Sequence, residues 1–272
     1  MKLLMENWRR FLNEQEEPPA AGLVPMVKLL DAEYTKFVQW LGGNIQDPKT
    51  QALIGAGLKD GDPNDDKFGF EPGPIPVAKL IPAQNEIDIN KSLAYPLVKD
   101  PSEFVSKASS NGPFTVVEPI VTFNGRYVVD GHHRWSTVYA CNKHASIDAI
   151  NITMEGIDPL DALKAVQMAI GLQAKKIPIQ SVEGTNLLKI DQNGLTGWIT
   201  KSVPAATYEA IVADSKVKKL ITNYAKTQEV TEITSMELAI VKRGLINYIW
   251  SNVASMRETS QPVKGAGPRD FM

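Results

Sequence analysis

The stretch Val128-Val129-Asp130-Gly131-His132-His133-Arg134-Trp135 restricts what this chain can fold into more than any other. An apolar run stops at an Asp-Gly break, and two of the chain's three histidines and an arginine follow at once. Upstream, Val121-Thr-Phe-Asn124-Gly125-Arg-Tyr-Val128 reads as a tight hairpin, because Asn-Gly tolerates positive φ at both turn positions. Downstream, Trp135-Ser-Thr-Val138-Tyr139-Ala140-Cys141 has helical spacing. The expected layout is strand, turn, strand, Asp-Gly corner, then a helix whose first turn carries His132, His133 and Arg134.

Such a corner suits an anion. Free backbone N–H groups and the helix dipole favour phosphate at a helix start. Gly131 lets the backbone approach closely, Arg134 can add bidentate contacts, and the imidazoles of His132 and His133 can donate or take protons. Asp130 can orient a histidine, bind a divalent metal or act as a base. Asp-Gly is also a common turn, and one histidine near a helix start is often only a cap. The full Asp-Gly-His-His-Arg run between a buried strand and a helix favours function.

A second polar stretch, Ala83-Gln84-Asn85-Glu86-Ile87-Asp88-Ile89-Asn90-Lys91-Ser92, offers further candidates. Gln84 can read a hydroxyl or a base edge, Glu86 or Asp88 can serve as base or metal ligand, and Lys91 can meet phosphate. Alternation of Ile87 and Ile89 with polar neighbours fits a half-buried strand equally well. The metal candidates are Asp130 and Asp88.

Asp130-Gly131-His132-His133-Arg134 after a hairpin resembles the signature of the ParB/sulfiredoxin-like superfamily. That superfamily includes partition CTPases, sulfiredoxins, free-serine kinases and ParB-like nucleases. The resemblance covers about residues 74–152 and is nearest the kinase-like branch. It implies a compact α/β (α+β) mixed-sheet domain whose signature turn holds nucleotide phosphates: ATP, ADP or CTP with Mg2+. In the kinase-like relatives a glutamate just beyond the opening strand is the catalytic base, which points to Glu86, with Gln84 competing for the matching position. Sulfiredoxins need a cysteine at the signature; Cys141, the chain's one cysteine, lies outside it, which argues against sulfinic-acid reduction.

Composition narrows the function classes. A chain of 272 residues, 43% hydrophobic and 22% charged, can bury a substantial core. Its formal net charge of −2 gives no global field toward DNA or an anionic membrane. One cysteine excludes an internal disulfide framework and a cysteine-based zinc site. No apolar run approaches the roughly twenty residues of a membrane span.

Residues 1–14 place Leu4, Trp8, Phe11 and Leu12 on one helical face, and Gln15-Glu-Glu-Pro-Pro-Ala-Ala-Gly22 opens a polar linker over 15–24. The segment is too short and too charged for a secretory signal. It is either a detachable address tag or a helix that docks on its own protein. Leu12-Asn13-Glu14 resembles the Leu-X-Glu pattern cut by phage prohead proteases, and the whole segment resembles capsid-targeting peptides. That likeness implies processing at Glu14 and a place inside a phage head, the alternative being the cytoplasm of an infected bacterium.

The rest sorts by pattern. Residues 25–73 read as a helical region: one helix over Pro25–Leu41, another around Pro48–Leu58, then an acidic loop. Counted from Asp60 that loop mimics a calcium site, but Asp65 stands where the sharp turn needs glycine, so it is a solvated loop. Pro74–Pro82 reads as the opening strand of a domain over 74–157, Pro101–Ser109 as a helix and Ala145–Ile152 as a strand. His144 falls in an exposed turn. Residues 158–258 should be mainly helical, with helices from Asp158 to Gly171, over Pro204–Lys226 and over Ser235–Arg257, and a polar stretch around Asn193-Gly194 and Trp198. Residues 259–272 read as a flexible tail.

Three functions compete: metal-assisted phosphoryl transfer or NTP hydrolysis, a DNA-acting nuclease or nucleotide-gated clamp, and a virion component that keeps the fold without chemistry. The DNA reading lacks a helix–turn–helix, and Lys216, Lys218, Lys219 and Lys226 are too sparse to nominate a reading helix. Intact mass of particle-associated protein tests the N-terminal expectation: the chain should begin at Gln15, and a species beginning at Met1 overturns it.

Overall fold

A computed structural model describes residues 69–153, 158–160, 162–163, 179–180, 184–225, 234–267 and 270–271. The peptide ending at Glu14, the linker, the helices and acidic loop of 25–68, and most of the helix expected from Asp158 to Gly171 lie outside the described residues.

The centre is a mixed sheet of five strands in the order β1-β5-β3-β4-β2. β1 (Gly69–Pro76) runs antiparallel to β5 (Ser146–Thr153), and β5 is parallel to β3 (Ile120–Phe123). β3 turns back into β4 (Tyr127–Asp130), which is parallel to the two-residue β2 (Ile81–Pro82). Pro72, Pro74 and Pro76 occupy alternate positions of edge strand β1, so their missing donors fall on one side and discourage further pairing. The expected hairpin is present: Asn124 and Gly125 have φ of 50° and 63°.

Helices cover the sheet. α1 (Ile89–Ala94) continues as a π-turn through Lys99, and α2 (Pro101–Ser109) starts at Asp100, whose carboxylate accepts the Ser102 N–H. α3 (His132–Cys141) follows β4 directly. Then come α4 (Gln192–Ser202), α5 (Ala205–Ala213), α6 (Ser215–Asn223) and the 26-residue α7 (Thr234–Thr259). β6 (Ile179–Gln180) pairs with β7 (Asp270–Phe271). The architecture is α/β, as expected. Among the described residues no helix is long and apolar enough to cross a membrane.

The main core joins Val77, Leu80, Ile120, Val128, Trp135 and Tyr139 to Val241, Leu245, Ile249, Val253 and Met256 of α7. Residues of the signature region and of the C-terminal helices therefore share one interior. A smaller cluster of Ala83, Phe123, Val129, Ile152, Ala162 and Leu163 contains Val129, the strand neighbour of Val128, as period-two alternation demands. Trp135 is fully buried, and its indole N–H donates to the Val77 carbonyl at 3.0 Å. From α7, Tyr248 and Asn252 donate to the carbonyls of Cys141 and Ala140, satisfying the end of α3.

Several expectations need correction. Pro74–Pro82 is two strands, not one: β1 ends at Pro76, a 3-10 turn spans Val77–Lys79, and β2 lies at the opposite side of the sheet. Ile87–Ile89 is no strand, because the Asp88 carboxylate accepts the Asn90 N–H and starts α1. Pro204–Lys226 breaks at Asp214, which caps α6 by accepting the N–H groups of Lys216 and Val217. The polar stretch around Asn193-Gly194 is α4, capped by Asp191. The C-terminal residues are docked: Val263 donates to the Pro82 carbonyl, and β7 pairs with β6.

Gly244 marks the tightest helix contact. A Cβ there would stand 2.2 Å from the Ile221 carbonyl oxygen at the end of α6. Helix propensity alone favours alanine by about 1 kcal/mol, but forcing the helices apart costs about 1–3 kcal/mol. Gly244→Ala should lower the thermal midpoint; a midpoint unchanged or raised overturns this close approach.

Candidate functional site

α3 begins on Gly131, whose φ of 84° and ψ of 28° belong to the left-handed region. A Cβ there would stand 2.6 Å from Ile120 Cγ2 and 2.9 Å from Arg134 Nε, so backbone and space both demand glycine. No side chain caps the helix. Asp130 is the near carboxylate, but its Oδ2 accepts from Arg134 Nη2 at 2.5 Å. Arg134 Nη1 donates to the carbonyls of Glu118 and Pro119, both at 3.1 Å. The guanidinium thus ties the approach to β3 onto the corner instead of standing open for a ligand.

The two histidines face different ends of one loop. His132 is buried, and its Nε2 accepts the Ala83 N–H at 3.2 Å. His133 is half-buried, and its Nε2 accepts the Asp88 N–H at 3.2 Å. Between those points lies the segment with Gln84 and Glu86. Burial lowers the His132 pKa to about 3; the neighbouring His133 adds to the shift, a backbone hydrogen bond with Val128 opposes it, and Arg134 lowers it further. His132 is therefore a neutral acceptor inside the turn, with Nε2 on the Ala83 N–H, where the sequence nominates it to carry protons and meet phosphate.

Other nominated residues fall nearby in differing states. Gln84 is buried at 6% exposure, one residue beyond the Ala83–His132 bond. Glu86 is half-buried in the same loop, and Lys91 is exposed on α1. α1 meets α3 through the Ser92 and Ser136 hydroxyls, 2.8 Å apart. Asp88 caps α1 and lies so close to Gly184 that a Cβ there would approach its Oδ2 to 2.9 Å. Asp130 is thus held by Arg134, and Asp88 serves as the cap of α1. Among the described residues no three metal-ligating side chains converge. Cys141 is buried, and burial pushes its thiol up to about 12, which removes it as a nucleophile.

Two neighbours went unnoticed in the sequence. The Asn186 side chain donates to the Asn85 carbonyl and accepts the Ile87 N–H, holding the loop from one side. Asn85 donates from its backbone to Gly267 and from its side chain to Ala266, holding it from another. Asn186 lies in no motif, so nothing local could have marked it.

No protein-family model matches the chain, and no curated protein or solved structure matches it either. The fold and its corner define a class: an α/β protein with a mixed five-stranded sheet and a helix that opens, without a side-chain cap, at a glycine corner.

The His132 pKa has a stability consequence. Between pH 6.5 and about 3 the unfolded chain binds a proton at residue 132 that the folded chain refuses. The stabilisation is complete above pH 6.5 and falls with pH by at most about 1.4 kcal/mol per unit. His132→Gln, which keeps an acceptor without titrating there, should flatten the decline between pH 7 and 5 in urea-midpoint measurements. A variant slope as steep as the parent's overturns the assignment.

Proposed function

We propose that this protein binds the phosphates of a nucleotide on the backbone N–H groups at the start of α3, and that it catalyses phosphoryl transfer or NTP hydrolysis there. The observation that carries this reading is the uncapped opening of α3 on a left-handed glycine, with the adjacent Asp130 carboxylate drawn onto Arg134. A helix start without a side-chain cap supplies oriented donors and a positive end of the dipole. Arg134, His132 and His133 fix the corner and the loop beside it.

Glu86 is the candidate proton acceptor, since it is half-buried and the histidines hold both ends of its loop. As the acceptor hydroxyl's oxygen bonds to phosphorus, its proton passes to the Glu86 carboxylate, and the bond from phosphorus to the leaving phosphate oxygen breaks with its electrons on that oxygen. Transfer by positioning and electrostatic stabilisation suits a corner without a usable thiol. The ParB/sulfiredoxin-like signature supports this reading, and the likeness of residues 1–14 to a capsid-targeting peptide supports a working place inside a phage head.

One observation favours a scaffold without chemistry: the Arg134 guanidinium and the His132 ring are both spent on the turn itself. Titration of the full chain with ATP, ADP and CTP plus magnesium separates the two, followed by amide resonances in NMR. Binding should perturb the amides of residues 131–134 before others; no perturbation at millimolar nucleotide overturns the phosphate reading. Glu86→Gln should leave that perturbation intact and slow turnover by about 10²–10⁴. Undiminished turnover removes Glu86 from its role.

A further inference from the structure

A cleft of about 500 Å³ opens between the end of α2 and one face of α6, and it shares no residue with the glycine corner. Local sequence builds both walls. Asp214 caps α6, so Lys216, Lys219, Leu220 and Asn223 fall at the three- and four-residue steps that share one helical face. Opposite them α2 stops at Ser109 because Ser110 is extended, and Ala108, Ser110 and Asn111 line that side. The Asn142 carboxamide pins this wall, donating to the carbonyls of Lys107 and Ser110 and to Asn111 Oδ1.

We propose that this cleft binds a small organic phosphate, whose phosphoryl oxygens accept from Lys216 and Lys219 while its organic part lies against Ala108 and Leu220. The lining sets the sign of the ligand. No carboxylate lines the cleft, and Lys219 forms no ion pair among the described residues. Lys216 Nζ donates to the Ser109 carbonyl and keeps two further N–H groups. That contact and the Asn142 bonds also answer the carbonyls at the end of α2, which would otherwise repel an anion. With Asn111 Oδ1 accepting from Asn142, its –NH2 is left to donate. Two ammonium groups one helical turn apart favour a dianion over a monocarboxylate. The volume lies within the roughly 300–1,000 Å³ of small-molecule clefts, and a formal net charge of −2 supplies no broad basic field for a nucleic acid. The inference stands apart from the phosphate reading of the corner.

Phenyl phosphate, inorganic phosphate and benzoate, titrated into the full chain at fixed ionic strength and followed by amide resonances, test this. Fixing the ionic strength matters because attraction to exposed lysines is screened by salt. Phenyl phosphate should shift the amides of Ser110, Asn111, Lys219 and Asn223 saturably and bind more tightly than inorganic phosphate or benzoate. Lys219→Gln should weaken phenyl phosphate about three- to fivefold at an unchanged thermal midpoint. Lys219→Glu should weaken it further, and Lys219→Arg should keep it. Shifts that never saturate, benzoate binding as tightly as phenyl phosphate, or parent-like affinity in Lys219→Glu each overturn the proposal. A short single-stranded oligonucleotide that binds this face more tightly than phenyl phosphate overturns it in favour of a nucleic-acid surface. Shifts confined to residues 131–134 overturn it while supporting the corner; shifts confined to the cleft do the reverse.

Discussion

Two adjacent imidazoles at the start of α3 accept backbone N–H groups from the two ends of the Ala83–Asp88 loop. Consecutive helical residues point about 100° apart, which is why neighbours in sequence reach different ends of that loop. An imidazole accepts at Nε2 only when that nitrogen carries no proton, and burial keeps His132 in that state. The loop, the end of β2 and the first turn of α1 are all positioned by this pair. A short run that looks like ligand-binding chemistry thus serves first as a clamp.

The same economy governs charge at the corner. Arg134 holds the Asp130 carboxylate and spans the carbonyls before β3. Its side chain is only 20% exposed, so the pair sits where desolvation is substantial and the carbonyls share in compensating it. The start of α3 is left without a side-chain cap, and the signature side chains support the corner beside it.

Remote segments complete the frame. Asn186 and the Val263–Gly267 segment grip the loop from either side, and Tyr248 and Asn252 of α7 close the far end of α3. Residues that read as a polar stretch or a tail therefore belong to the surroundings of the corner. They also explain why the signature region and the C-terminal helices share one core.

The residues themselves determined the local features. Asn124-Gly125 made the hairpin, Asp100-Pro101 started α2, the apolar stripe of α7 marked its length, and Gly131 required a left-handed corner before α3. Each depends on dihedral preference or periodicity within a few positions. Tertiary structure alone decided that His132 faces inward, that Arg134 is consumed and that the last residues dock. Those outcomes depend on contacts such as Asn85 with Ala266, 181 positions apart, and no local pattern encodes a partner at that distance.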